Sequence, residues 1–431
     1  MFGKLVEYKN TYASMFWLML HDLIFVACAL VDISCANLLS EDAVIGITVA
    51  CSIHTLMFSA HNVFARALRV VGSRYYGAGE TNREKSLLST TVILSVSIAF
   101  IIALVMYIFG RNILSLFALT EPQLDLAFSY LQFRMIGYVI YAFANPIIRS
   151  VETHGKNGEV TRVRLINLIN VPLSIILAKV MGITGIGLGT TITELSELLL
   201  VLIVFRPVFG RPKLSELPEI AKLGLSYMPE CLCSPLINSF ATNMCLIYLN
   251  TSTIVISQLV NSFYDQIVEV IHMTTQQAEI TIGREYGAKN QAGIATEFKK
   301  FRHCYIYIVL WHFPITMLVG WLYLGMISPV SNLGFALLLL VMRVLSAIVY
   351  YVGMPAMRIL YVFDVIRPVM ITRLIGLCVL QLLTQWIALK CGVGAFCIPI
   401  SYFSSDVLWG ITNIWLLRKY GFLREHGFER I

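Results

Sequence analysis

From Leu87 to Phe109 the chain runs 23 residues without one charged side chain. About 20 apolar residues in a helix cross the hydrocarbon core of a bilayer, and comparable runs recur along all 431 residues. Hydrophobic residues make up 58% of the chain and charged residues 13%. The charged share is about half that of a soluble domain, and too small to cover this much apolar side chain in water. A soluble globular enzyme and a disordered chain are both excluded. In lipid every backbone polar group must bond within its own segment or a closed barrel. The runs are apolar nearly all round rather than alternating, which selects helices over a membrane barrel.

The fold class expected is an all-α integral membrane protein of twelve transmembrane helices. They fall at about 14–39, 43–71, 87–109, 127–149, 160–179, 183–205, 223–249, 253–282, 303–328, 332–359, 369–390 and 394–417. Lys and Arg crowd the connections on one side, 25 against three on the other (Arg111, Lys179, Lys390). By the positive-inside rule the crowded side is cytoplasmic. Both termini are therefore expected in the cytoplasm, with the protein in the plasma (inner) membrane. The basic count includes Arg149, Arg164, Arg358 and Arg373 as connection residues, and Arg66 and Arg69 are read as snorkelling from a span end. The first apolar run is too long for a signal peptide, so no cleavable leader is expected. Ten cysteines fall mostly inside apolar runs, and Cys231-x-Cys233 lacks metal or redox spacing, so they read as packing residues.

The halves repeat. Arg74-Tyr-Tyr-Gly-Ala78 returns as Arg284-Glu-Tyr-Gly-Ala288. Arg134, Pro146, Arg149 and Arg164 return as Arg343, Pro355, Arg358 and Arg373, and Gly185-Ile-Gly187 as Gly392-Val-Gly394. Offsets of 207 to 210 in an ordered series imply two pseudo-symmetric six-helix lobes as a parallel repeat, the plan of a transporter. The expected division is an N-terminal lobe at 1–206, a cytoplasmic linker at 207–222 with three prolines, and a C-terminal lobe and tail at 223–431.

Several motifs together resemble the multidrug and toxic compound extrusion (MATE) transporters, within the multidrug/oligosaccharidyl-lipid/polysaccharide flippase superfamily. Ser73-Arg-Tyr-Tyr-Gly-Ala-Gly79 and Gly283-Arg-Glu-Tyr-Gly-Ala-Lys289 look like that family's "GAG" loops, and Val31-Asp32 like its "VD" pair. Tyr130-Leu-Gln-Phe-Arg134 is similar to its "YLxxR", and Gly185-Ile-Gly-Leu-Gly-Thr190 to its "GAAxAT". The resemblance covers about residues 14–417 and implies a V-shaped pair of lobes that export organic compounds against protons or sodium by rocking.

An ionisable group within the bilayer is costly and is a functional candidate by default. Asp32 is the foremost, because desolvation favours the neutral form of a carboxyl and so suits a group that binds and releases a proton. The resemblance implies Asn170 and Thr190 as its partners. Ser174 stands where that family has a second aspartate, and Glu194 and Glu197 on the sixth helix are the candidate substitutes, Glu194 being four residues from Thr190 and on the same face. A substrate cavity is expected around Glu230, Asp265, Glu269, His272 and Gln276, with aromatic faces from Phe58, Tyr138, Phe263 and Tyr264 for cation–π contact. Asp22 beside His21 is a candidate extension of a proton path. No cofactor and no bound metal are expected. The partners are a small organic substrate, the coupling cation (H+ or Na+) and membrane lipid, with no nucleic acid, and the protein is expected to be a monomer.

The leading expectation is a secondary antiporter exporting cationic or amphipathic organic molecules. The alternatives are a flippase for lipid-linked oligosaccharides or a dedicated single-metabolite exporter of the same superfamily. A membrane-embedded enzyme is disfavoured, as neither HExxH nor Gly-x-Ser-x-Gly occurs.

Overall fold

The computed structural model describes residues 8–37, 39–117, 119–327 and 330–419. The side chains of Asp22, Phe25 and Glu230, and others mainly in the first, seventh and eighth helices, lie outside the described residues. The described residues contain helices and no strand. They group into twelve rods: α1 Lys9–Asn37, α2 Glu41–Gly77, α3 Thr81–Leu114, α4 Glu121–Thr153, α5 Asn157–Met181, α6 Ile183–Phe205, α7 Leu217–Tyr248, α8 Thr251–Gly287, α9 Gln291–Leu322, α10 Leu333–Val362, α11 Arg367–Lys390 and α12 Cys397–Lys419. Eight of these are long and apolar enough by composition to cross a membrane. Most rods run past the expected limits, because hydropathy marks the lipid-embedded stretch whereas the helix continues through polar turns at its ends.

The chain forms two compact units, Leu20–Met228 and Pro229–Ile431 together with Met1–Met19. The start of α1 is tied to the second unit by side-chain contacts. Ser14 Oγ donates to Gln277 Oε1 at 2.6 Å, and Tyr8 packs edge-on against His303.

Within the first unit α4 is central and packs on α2, α3 and α6. The pattern is that of a protein dissolved in lipid. On α3 the inward face is small or polar (Thr91, Ser95, Ala99, Ala103), while Ile93, Phe100, Ile101 and Leu104 are exposed. In the second unit α10 packs on α8 and α12. Pro355 inside α10 removes a helical hydrogen bond, and the hydroxyl of Tyr305 donates to the Tyr351 carbonyl four residues before it, at 3.0 Å.

One irregularity occurs at related places in the two units. Helix α5 tightens to a 3-10 turn at Leu165–Ile169, and α11 widens to a π turn at Gly376–Gln381. Such interruptions gather at functional positions.

The arginines correct the sequence expectation. Arg69, Arg149, Arg164 and Arg358 are at most 5% exposed, so they are neither snorkelling nor connection residues. Each has a carboxylate partner: Glu152 for Arg69 and Arg149, Glu197 for Arg164, and Glu279 for Arg358. Sequence alone does not distinguish a paired buried arginine near a helix end from one in a connection.

Candidate ion-coupling site

Asp32, on α1 in the first unit, is 5% exposed. Three neutral side chains donate to its carboxylate. The Tyr130 hydroxyl lies 2.9 Å from Oδ2, the Thr190 hydroxyl 3.1 Å from Oδ2 and 3.3 Å from Oδ1, and Asn170 Nδ2 3.4 Å from Oδ1. The Ser174 hydroxyl donates to Asn170 Oδ1 at 2.9 Å and so orients the amide toward the aspartate. Asp32 forms no ion pair among the described residues.

The glycines of α6 make this convergence possible. A Cβ at Gly187 would sit 2.8 Å from the Tyr130 carbonyl on α4, and one at Gly189 about 3.0 Å from Ser174 Oγ on α5. Both neighbours belong to the site. The glycines therefore let α6 approach α4 and α5 closely, bringing Thr190 to a carboxylate on α1. Asn170 follows the 3-10 turn of α5, where the helix regains its α-form.

Of the four residues expected to hold the cation, Asp32, Asn170 and Thr190 converge. Glu194 does not contact them. It accepts from Arg134 Nη1 at 2.9 Å, and Arg134 Nη2 lies 3.2 Å from His54 Nε2. Glu194 shares a face with Thr190, but the buried guanidinium engages it. Tyr130 is the member that sequence reasoning missed. It opens the Tyr-Leu-x-x-Arg motif, yet 98 residues separate it from Asp32, and nothing local marks it as a ligand.

Residues of the first unit on the other side of the 3-10 turn form a second polar network. Glu152 accepts from Arg149 at 3.0 Å and from Arg69 at 3.5 Å, with His21 Nδ1 at 3.6 Å. Arg164 contacts His21, lies 3.0 Å from Glu197, and donates to the Tyr141 hydroxyl at 3.2 Å. Asn167 donates to Glu197 at 3.0 Å. Phe58 packs on Tyr141, and Tyr138 is fully buried with its hydroxyl donated to the Met57 carbonyl at 2.7 Å.

The second unit holds a cavity of about 270 Å3, lined by Asn238, Ser257, Asn261, Asp265, Gln385 and Tyr402 among others. Asp265 therefore lines this cavity, and Arg343 Nη2 lies 3.5 Å from it. Asn238 accepts from Gln381 at 3.3 Å and from the Tyr402 hydroxyl at 3.0 Å. The rest of the expected stripe lies off this cavity. Glu269 pairs with His272 at 3.0 Å, His272 contacts Arg358, and Gln276 is buried. Phe263 stacks on Tyr323, and Tyr264 bonds to the Tyr351 hydroxyl at 2.8 Å. Tyr138, Phe263 and Tyr264 are thus packing residues of their own units in this structure. Glu230 lies outside the described residues.

The MatE family model matches residues 18–178, which include Asp32, Tyr130, Asn170 and Ser174. By this match and by its fold the chain is similar to MATE family transporters. A Vibrio cholerae MATE transporter, VcmN, in a bent form superposes with a TM-score of 0.81 at 17% identity, covering 100% of both chains. An outward-facing multidrug resistance MATE transporter gives 0.81 at 14%, covering 98% of this chain and 97% of the other. A transporter of the wider superfamily from Pyrococcus furiosus, described as having a binding pocket of reversed polarity, gives 0.80 at 15% over the same shares. At these identities the structural likeness is one of fold. Among curated proteins none matches. Those MATE transporters have twelve transmembrane helices in two lobes, and the eight long apolar helices of this chain make it a multi-pass membrane protein.

Proposed function

We propose that this protein is a secondary antiporter that exports small organic molecules against a cation gradient, with Asp32 as the coupling group. The observation that carries the proposal is a buried carboxylate held by three neutral donors, with no ion pair among the described residues. A buried carboxylate without a cation is expensive. A proton or a metal cation arriving from the aqueous side relieves that cost, and its departure restores it. One carboxylate with hydroxyl and amide oxygens suits a proton better than tight sodium, which wants more hard oxygen ligands. Protonation of Asp32 removes the acceptor charge toward which Tyr130, Asn170 and Thr190 point. These residues come from α4, α5 and α6, so the event alters the packing of four helices at once and provides a two-state element for alternating access.

The cavity of the second unit is lined by amides, hydroxyls and a carboxylate already neutralised by Arg343. That lining favours a polar or weakly cationic substrate over a pyrophosphate, and supports the exporter reading over a lipid-linked oligosaccharide flippase. The basic connections support an orientation with both termini in the cytoplasm, and the plasma membrane is the membrane in which such an exporter would act.

The test is purified protein in liposomes with a proton or a sodium gradient imposed separately, while a fluorescent organic cation is followed. Movement driven by the proton gradient is the expected result. Movement driven only by sodium would change the coupling ion. No movement with either gradient, in folded protein, would overturn the antiporter reading.

A further inference from the structure

At one end of the spans of the first unit lies a pocket that the transport site does not use. It has a volume of about 260 Å3, below the roughly 300–1,000 Å3 of pockets for drug-sized molecules. Its walls come from the start of α3, the end of α4, the start of α5 and the end of α6. Three bases line it: Lys85, Lys156 and Arg206. Lys156 pairs with Glu159 at 3.6 Å, and Glu84 is engaged by His154. Lys85 and Arg206 form no ion pair among the described residues. The local carboxylates are therefore occupied, and two cations remain to face the pocket.

The pocket also has an apolar lip. Val204 and Val208 line it and are 51% and 60% exposed. The outer face of α6 carries that apolar surface onward through Ile203 and Leu199, at 64% and 51% exposed. The linker that supplies Arg206 and Val208 is fixed. Gly210 N donates to the Lys85 carbonyl at 3.1 Å, Ser86 Oγ to the Arg211 carbonyl at 2.8 Å, and Lys213 N to Thr90 Oγ1 at 3.2 Å. A Cβ at Gly210 would lie 2.7 Å from Ser86 N, so only glycine lets the linker lie this close to α3.

We propose that this pocket binds the headgroup of an anionic phospholipid. The phosphate sits between Lys85 and Arg206, and the acyl chains leave over Val204 and Val208 along the outer face of α6. A soluble phosphate would satisfy the two bases but would leave the apolar lip unused. A zwitterionic lipid would fit the lip but would bring a quaternary ammonium to a basic site. The pocket stands at span ends, where the headgroup layer lies.

The experiment is native mass spectrometry of the full chain, delipidated in neutral detergent and titrated with phosphatidylglycerol or phosphatidylcholine. Lys85→Gln, Arg206→Asn and the double variant are compared with wild type, and melting temperature serves as the folding control. Phosphatidylglycerol is expected to bind in preference, about fivefold more weakly for each base removed, as about 1 kcal/mol per base implies. Lys213→Gln, in the linker but off the pocket, is expected to bind as wild type does. Equal loss in Lys213→Gln, no loss in the double variant, or displacement by glycerol phosphate at matched concentration would each overturn the proposal.

Discussion

The two units keep the same arginines but not the same acids. Arg164 with Glu197 and Arg373 with Asp406 are one pair written twice, since both partners recur 209 residues later. The other two related arginines have changed partners. Arg134 pairs with Glu194 on α6, whereas Arg343 pairs with Asp265 on α8. Arg149 pairs with Glu152 on its own helix, whereas Arg358 pairs with Glu279 on α8. A guanidinium inside a membrane protein needs a carboxylate, but the carboxylate can come from any helix that reaches it. The repeated pair therefore marks a clamp of the fold, and the relocated pairs mark where the units have diverged.

The same comparison singles out Asp32. In the first unit the polar centre near α5 and α6 contains a carboxylate, Asp32, with no ion pair among the described residues. In the second, the centre near α11 and α12 contains amides: Asn238 accepts from Gln381 and Tyr402, and Gln385 donates to the Ala241 carbonyl and accepts from Ser401. In the proposed function the first centre exchanges the cation and the second offers hydrogen bonds to the solute.

The largest effect expected from breaking this comparison is loss of the clamp. Arg164→Ala and Arg373→Ala each remove the guanidinium beside a buried carboxylate and should cost about 3–5 kcal/mol, read as a lower melting temperature in detergent. Because the pair is the same in both units, the two losses should be similar. A large drop in one variant with none in the other would break the equivalence. Next in size is the donor set of Asp32. Thr190→Val or Asn170→Ala removes one hydrogen bond to a charged group, worth about 1.5–3 kcal/mol. Each should shift the apparent affinity for the coupling cation by at least about tenfold with the fold intact. Smaller still is Ser174→Ala, which frees the Asn170 amide to rotate and should weaken coupling by about 0.5–1.5 kcal/mol. The smallest is Asn238→Asp, which places a carboxylate in the second unit yet should leave the coupling ratio unchanged. A doubled ratio would show that either unit can couple once it has an acid.

Much of this architecture is legible in the residues. The apolar runs mark the spans, and the repeated arginines and glycines mark the duplication, because lipid demands long apolar helices and close packing demands small residues. Asp32, Asn170 and Thr190 were recognisable by resemblance. What was not legible was pairing across distance. Glu194 has the right spacing from Thr190, but Arg134 on another helix engages it. Tyr130 reaches Asp32 from a helix 98 residues further along the chain, and Thr190 reaches it because Gly187 and Gly189 let α6 lie close to α4 and α5. Arg149 and Arg358 look like connection residues until their carboxylates are seen beside them.

The most direct test of the central claim sets Asp32→Asn beside Asp265→Asn in liposomes under the same imposed gradient. Each variant is first checked for folding by its melting temperature. The account predicts that gradient-driven transport falls to background in Asp32→Asn, while Asp265→Asn keeps its dependence on the gradient and changes only in substrate affinity. Coupling that survives in Asp32→Asn and disappears in Asp265→Asn would contradict the account and move the coupling site to the second unit.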